Sequence, residues 1–158
     1  MNENMNSGTG LTNDLKDRYL LFNIEDTKYG FSLEYVLEII NVPSLTPVPG
    51  VAHYIKGIIN LRGKIIPIID VRLKLGLPER EHDDKTCIIV LNIHDMQAGV
   101  IVDSVSEVVN AENSQLSVPA DFGEASSRYL SSILEIDNKI VLNIDCEKFF
   151  SADLESQF

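Results

Sequence analysis

The sequence predicts a mainly β protein built as two small five-stranded antiparallel barrels, and three observations carry that prediction. The chain repeats itself, its apolar residues fall in short β-branched runs, and tight turns separate those runs. Each copy, at about 60 residues with roughly five strands, suits a small barrel better than a sandwich of long strands. A module of that size is marginal alone, so the two should pack face to face in pseudo-twofold fashion, open to the exchange of a strand.

The repeat is read directly. At a spacing of 69 residues the pairs Asn23/Asn92, Ile24/Ile93, Asp26/Asp95, Gly30/Gly99, Val36/Val105, Glu38/Glu107 and Asn41/Asn110 are identical, seven in 19 ungapped positions. Random pairing would give about one, so the chain is an internal duplication. At a spacing of 75 the match resumes with Lys64/Lys139, Ile65/Ile140, Ile69/Ile144 and Asp70/Asp145. The extra residues belong in the loop between Asn110 and Tyr129.

Residues 1–17, rich in Asn, Gly, Ser and Thr, read as a mobile tail. The first module then spans 18–78, a charged linker 79–85 and the second module 86–154, together one domain. Strands are expected over 19–24 and 28–32 around the turn Glu25-Asp26-Thr27. Ser32 is placed to cap a short helix from Leu33 to Leu37, with Glu34 in its first turn. Pro43, Pro47 and Pro49 enforce extended chain, and Pro49-Gly50 turns it.

The central stretch runs Ile55-Lys56-Gly57-Ile58-Ile59-Asn60-Leu61-Arg62-Gly63-Lys64-Ile65-Ile66-Pro67-Ile68-Ile69-Asp70. Two apolar runs flank Asn60-Leu61-Arg62-Gly63, a turn in which glycine supplies a positive φ. Pro67 cannot donate a ladder hydrogen bond, so its strand should lie at an edge or carry a bulge. Arg62 is the long cation at the tip. A soluble turn and a partner contact are equally good readings of it from spacing alone. Asp70 caps a helical turn over 71–75 that ends at Gly76 and Pro78, and Asp145 caps the final helix, from Cys146 to about Leu154, with Phe149 and Phe150 on its docking face.

Composition narrows the function. The 158 residues carry 13 basic and 24 acidic side chains, a formal charge of −11, with a pI near 4.6. Lys56, Arg62, Lys64, Arg72 and Lys74 stand against Asp70 alone, +4 locally and therefore −15 elsewhere. No aromatic residue interleaves this island, which argues against a nucleic-acid platform, while an acidic protein surface or plain solvation would suit it. Cys87 and Cys146 have no CxxC spacing and read as small buried side chains in a reducing compartment. No leader pattern or membrane-length apolar run is present, so a cytoplasmic protein without direct membrane insertion is expected.

Catalytic chemistry finds little support. His53, His82 and His94 are isolated, no metal spacing occurs, and no nucleophile elbow, phosphate loop or kinase signature is present. His94-Asp95 sits where Glu25-Asp26 does in the first copy, so turn chemistry explains it. Neither enzyme, metal nor cofactor is expected.

The central stretch, with Tyr29-Gly30, Val36-Leu37-Glu38-Ile39 and Gly99-Val100-Ile101-Val102-Asp103-Ser104-Val105, resembles the CheW chemotaxis coupling proteins and the CheW-like regulatory domain of the CheA histidine kinase. The likeness runs from about Tyr19 to Phe150. It implies a pair of SH3-like barrels and a stand-alone adaptor of a two-component pathway, since kinase and receiver domains find no room. By that resemblance the chain bridges the cytoplasmic tips of chemoreceptors (methyl-accepting chemotaxis proteins) to the regulatory domain of CheA. It would be a monomer in isolation and part of the membrane-associated receptor array in cells. Carried over by motif position, receptor contact falls to Val36, Glu38, Gly57, Ile58 and Arg62, with Val105 and Val108 on the opposite wall. Kinase contact falls to Ile39, Ile40, Asn41 and Val42, and the ring contact of the array to Phe122 and Ser117. For the apolar members core packing is an equally good reading. The competing function is a small-ligand sensor using the cleft between the barrels.

Overall fold

The computed structural model of the chain describes residues 15–111, 115–116 and 128–156. In chain order these form β1 (Arg18–Ile24), β2 (Thr27–Ser32), a 3-10 turn (Leu33–Tyr35), β3 (Val36–Asn41), β4 (Ile55–Leu61), β5 (Lys64–Asp70) and α1 (Val71–Lys74). The second copy supplies β6 (Cys87–Ile93), β7 (Met96–Val102), β8 (Ser104–Asn110), β9 (Gln115–Leu116), β10 (Leu130–Ile136), β11 (Lys139–Ile144) and α2 (Cys146–Ser156). The named helices are short, and among the described residues the fold is mainly β.

Two sheets result, in the orders β3-β6-β7-β5-β4 and β8-β1-β2-β11-β10-β9. Under the repeat, β3 corresponds to β8, β6 to β1, β7 to β2, β5 to β11 and β4 to β10, so both sheets run in the same order. Each sheet therefore takes one hairpin, β1–β2 or β6–β7, from the other half of the chain. The isolated bridge Thr46↔Ile58 matches Leu116↔Ile133 of β9 and β10 in the same way. Most pairings are antiparallel, as expected of small barrels. The joins β2–β11 and β5–β7 are parallel, because they unite hairpins from different halves that no tight turn connects.

Local chemistry explains the turns. Arg62 and Gly63 have φ of 52° and 87°, His94 and Asp95 of 50° and 66°, and Asp137 and Asn138 of 51° and 65°. Two successive left-handed residues make the turn whose twist matches that of the flanking strands. The first tip is thus the pair Arg62-Gly63, tighter than the four residues expected, and Asn60 Oδ1 accepts a hydrogen bond from Gly63 N at 2.9 Å. Pro67 lies in β5, an inner strand, but the pairing with β7 begins only at Ile68, so the missing N–H has no ladder to interrupt.

The short helices differ in their success. Asp70 caps α1 through Arg72 N and Leu73 N, and Asp145 caps α2 through Lys148 N at 3.1 Å. Ser32 does cap Glu34 N, but the helix stops after Leu33–Tyr35, and Val36 and Leu37 belong to β3. Five register pairs with β6, three of them made by the β-branched Val36, Ile39 and Ile40, outweigh one further turn of a short helix.

Among the described residues three buried clusters hold the sheets. One lies within each sheet, and the largest lies between them, with Phe22, Phe31, Ile69, Leu91, Val100, Phe149 and Phe150 drawn from both halves. Cys87 and Cys146 are buried free thiols. At the midline Lys74 Nζ donates to Phe149 O and stands over the rings of Tyr54, Tyr129 and Phe149 at 4.9, 5.6 and 4.6 Å. Lys74 and Phe149 are repeat partners, as are Tyr54 and Tyr129, whose carbonyls receive Asp70 N at 2.8 Å and Asp145 N at 2.7 Å. The pseudo-twofold axis passes through this contact.

Candidate partner-binding site

The hairpin β4–β5 presents Arg62 to solvent, its side chain 70% exposed, and β3 raises Glu38 beside it. The two form a forked pair: Arg62 Nη2 donates to Glu38 Oε1 at 2.9 Å and Nη1 donates to Oε2. The hydrogen bonds from Arg62 hold the Glu38 carboxyl below its ordinary range, and the same bonds push the guanidinium up. Two of the five guanidinium N–H donors face Glu38, which leaves three for a partner. Glu38 thus braces the arginine without consuming it.

Ile58 is half-buried on β4, four residues before Arg62. Its N–H donates to Thr46 O at 2.9 Å, and its carbonyl accepts from Thr46 N at 3.1 Å. Gly57 next to it is buried, with φ of 151°, and a Cβ there would lie 2.5 Å from Thr46 O. Only glycine lets the Thr46 chain cross β4 so closely, so Gly57 shapes the site through its backbone. Val36 and Val105, repeat partners, both pack half-buried on the core between the sheets.

A family model described as "CheW-like domain" matches residues 18–154, nearly all of the described chain. The chain belongs to the CheW-like family. It is 34% identical over 130 residues to the chemotaxis protein CheW of Bacillus subtilis, covering 82% of this chain and 83% of that protein. To the chemotaxis protein CheW of Klebsiella aerogenes it is 31% identical over 136 residues, covering 85% and 82%. A crystal structure of the scaffolding protein TtCheW from Thermoanaerobacter tengcongensis superposes with a TM-score of 0.79 at 32% identity, covering 87% of this chain and 94% of that one. These relatives support a chemotaxis adaptor role.

Within this CheW-like domain the other site candidates separate. Ile39 and Val108, repeat partners on β3 and β8, are 46% and 48% exposed. Ile40 and Val42 pack on the core of the first sheet, and Asn41 is exposed at the end of β3. Phe122 and Ser117 lie outside the described residues. Among the described residues no helix is long and apolar enough to cross a membrane, and no three His, Cys, Asp or Glu side chains converge on a metal position.

The basic island does not survive as a patch. Lys56 pairs with Glu79, Arg62 with Glu38 and Arg72 with Glu25 and Asp103, while Lys74 sits among aromatic rings. Arg72 is the residue that sequence reasoning missed. Its side chain is 7% exposed, Nη1 donates to Asp103 Oδ2 at 2.7 Å, Nε to Pro78 O at 3.1 Å, and Nη2 to Glu25. Asp103 Oδ2 also accepts from Glu25 N at 2.8 Å and Arg80 Nη1 at 3.0 Å. Burial opposes the charge on Arg72, and the two carboxylates outweigh it, so the guanidinium is held charged. Asp103 precedes β8, which carries Val105 and Val108, so this cluster ties the sheet of Arg62 to the sheet of the other wall. The apolar neighbours Val71 and Leu73 were the available signal, since a cation between core residues must find acids.

Proposed function

We propose that this CheW-like domain is a non-catalytic adaptor that joins the cytoplasmic tips of chemoreceptors to the regulatory domain of a CheA-type histidine kinase. The observation that supports it most is the braced, exposed Arg62 fork on a rigid two-residue turn, a fixed receptor for a carboxylate or for the carbonyls at a helix end. Ile58 and the half-buried Val36 and Val105 supply apolar surface for receptor contact, Gly57 shapes its floor, and Val108 extends the far wall. The exposed side of β3 at Ile39 and Asn41, with Ile40 and Val42 behind it, is the kinase face, and Phe122 and Ser117 belong to ring closure. The chain is a cytoplasmic monomer on its own and is recruited to the membrane-associated array by these contacts. Residues 18–78 and 86–154, joined by the linker 79–85, are the two modules of this one domain.

Reconstitution tests the reading. Receptor and kinase together should show receptor-regulated phosphorylation only when this chain is added, and equal regulation without it would end the proposal. Arg62→Ala should keep the melting temperature within a few degrees, because the pair it leaves is exposed, yet lose receptor coupling. Arg62→Lys should also be impaired, since an ammonium cannot hold Glu38 and a partner in one plane. A large fall in melting temperature with normal receptor affinity would make Arg62 a structural strut instead.

A further inference from the structure

We propose that the cleft between the start of α2 and the 3-10 turn is a binding site for a guanidinium group, presented by an arginine side chain of another protein. The cleft is open, about 280 Å3, and its walls carry Asp17, Glu34, Asp145 and Glu147 against Lys16 alone. The duplication supplies a second copy of the same cleft elsewhere in the fold. At the repeat spacings of 69 and 75, Asp17, Ser32, Glu34, Asp145 and Glu147 correspond to Thr86, Ile101, Asp103, Asp70 and Arg72. Those five residues line a cleft on the other side of the pseudo-twofold axis, and there only about 10 Å3 remains. What fills it is guanidinium: Arg72 and Arg80 both donate to Asp103 Oδ2, at 2.7 and 3.0 Å. The chain itself shows what an acid at the position of Asp103 and Glu34 is shaped to hold.

In the open copy the acid is kept and the arginine is replaced by another acid. Glu147 takes the position of Arg72, and its own hydrogen bonds lie at the surface: from His94 Nε2 at 2.7 Å and the half-buried Tyr35's hydroxyl at 3.0 Å. An independent feature of the wall also asks for a donor. Asn143 is 5% exposed and gives its Nδ2 to Ser131 Oγ at 2.9 Å and Ser132 Oγ at 3.1 Å, while its Oδ1 is buried with no hydrogen-bond partner. The field in the cleft is negative, since Asp145, Glu147 and Glu34 add to burial in pushing the Cys146 thiol well above its ordinary range. Among the described residues the carboxylates do not converge as metal ligands would, so the donors that suit them are spread over an extended, planar cation.

A protein-borne arginine and a free guanidinium compound share this chemistry, and an NMR amide titration with the full chain separates them. The probes are N-acetyl-arginine amide, which mimics a side chain in a protein, free arginine, whose carboxylate the acidic cleft repels, and butylammonium. Saturable shifts confined to Asp17, Glu34, Tyr35 and Glu147 are expected with the capped amide, weaker ones with the other two. Glu34→Gln and Asp17→Asn should each weaken the capped amide about fivefold, and Glu107→Gln, a carboxylate lost from exposed β8, should not. Glu147→Arg rebuilds the filled cleft and should abolish binding while raising the melting temperature. Linear shifts spread over the surface, or affinity unchanged by Glu34→Gln and Asp17→Asn, overturn the site. Equal binding of butylammonium overturns the guanidinium assignment, and tighter binding of free arginine overturns the protein source.

Discussion

The two faces on either side of the pseudo-twofold axis carry the same backbone and opposite chemistry. On one, the cation Arg72 on α1 reaches across to Glu25 in the β1–β2 turn; on the other, the acid Glu147 on α2 reaches to His94 in the β6–β7 turn. Both links join the two sheets, and the donor and acceptor have changed places. On the first face Arg72 is buried at 7% exposure and is also held by Asp103 at 11%, with Glu25 at the surface, whereas His94 and Glu147 are 74% and 50% exposed. Duplication thus preserved where two elements meet while leaving the charges free to trade. Strength follows burial, because a desolvated fork with three acceptors in reach is a strut and a hydrated pair is not.

The widest gap between the faces should open on Arg72→Met. It strands the Asp103 carboxylate in a buried cluster, so a loss of about 3 kcal/mol and a fall in melting temperature of roughly 6–12 °C are expected. A fall no larger than that of an exposed variant would erase the distinction. Arg80→Ala removes a partner of the same Asp103 from a side chain 46% exposed, and should cost about 0.5 kcal/mol, or roughly 2 °C. The smallest effect belongs to Glu147→Gln, whose melting temperature at neutral pH should stay within about 1 °C of the parent.

Acid sharpens the last case. The hydrogen bond with His94, then that from Tyr35, holds the Glu147 carboxyl below its ordinary range. A carboxyl lowered in the folded state contributes stability above its unfolded value and loses it as pH falls through the folded one. The parent should therefore lose slightly more stability than Glu147→Gln between about pH 5 and 3. Parallel acid limbs in thermal melts would show that this link contributes nothing.

Much of the candidate site was legible before the structure. Arg62 stands at a hairpin tip because Arg62-Gly63 is a turn dipeptide between two β-branched runs, and such information is local. Its brace was less legible: Glu38 is 24 residues away, and only the strand that replaced the expected helix after Ser32 brings it alongside. Gly57 shows a third level. Its positive φ is local in effect, but the reason for it is the crossing of Thr46.

By itself the sequence determined the duplication, the hairpins, the caps Asp70 and Asp145 and the family, since each rests on neighbours within a few positions or on likeness along the chain. Tertiary structure alone decided which hairpins share a sheet, that four of the five island cations are engaged within the chain, and that Arg72 is a buried strut. The physical reason is range. A turn or a cap is settled by groups three or four residues apart, whereas Arg72 meets Asp103 and Glu25 across 31 and 47 residues. No local pattern encodes such a meeting. It exists because two parallel strand joins and one shared apolar core bring the halves of the chain together.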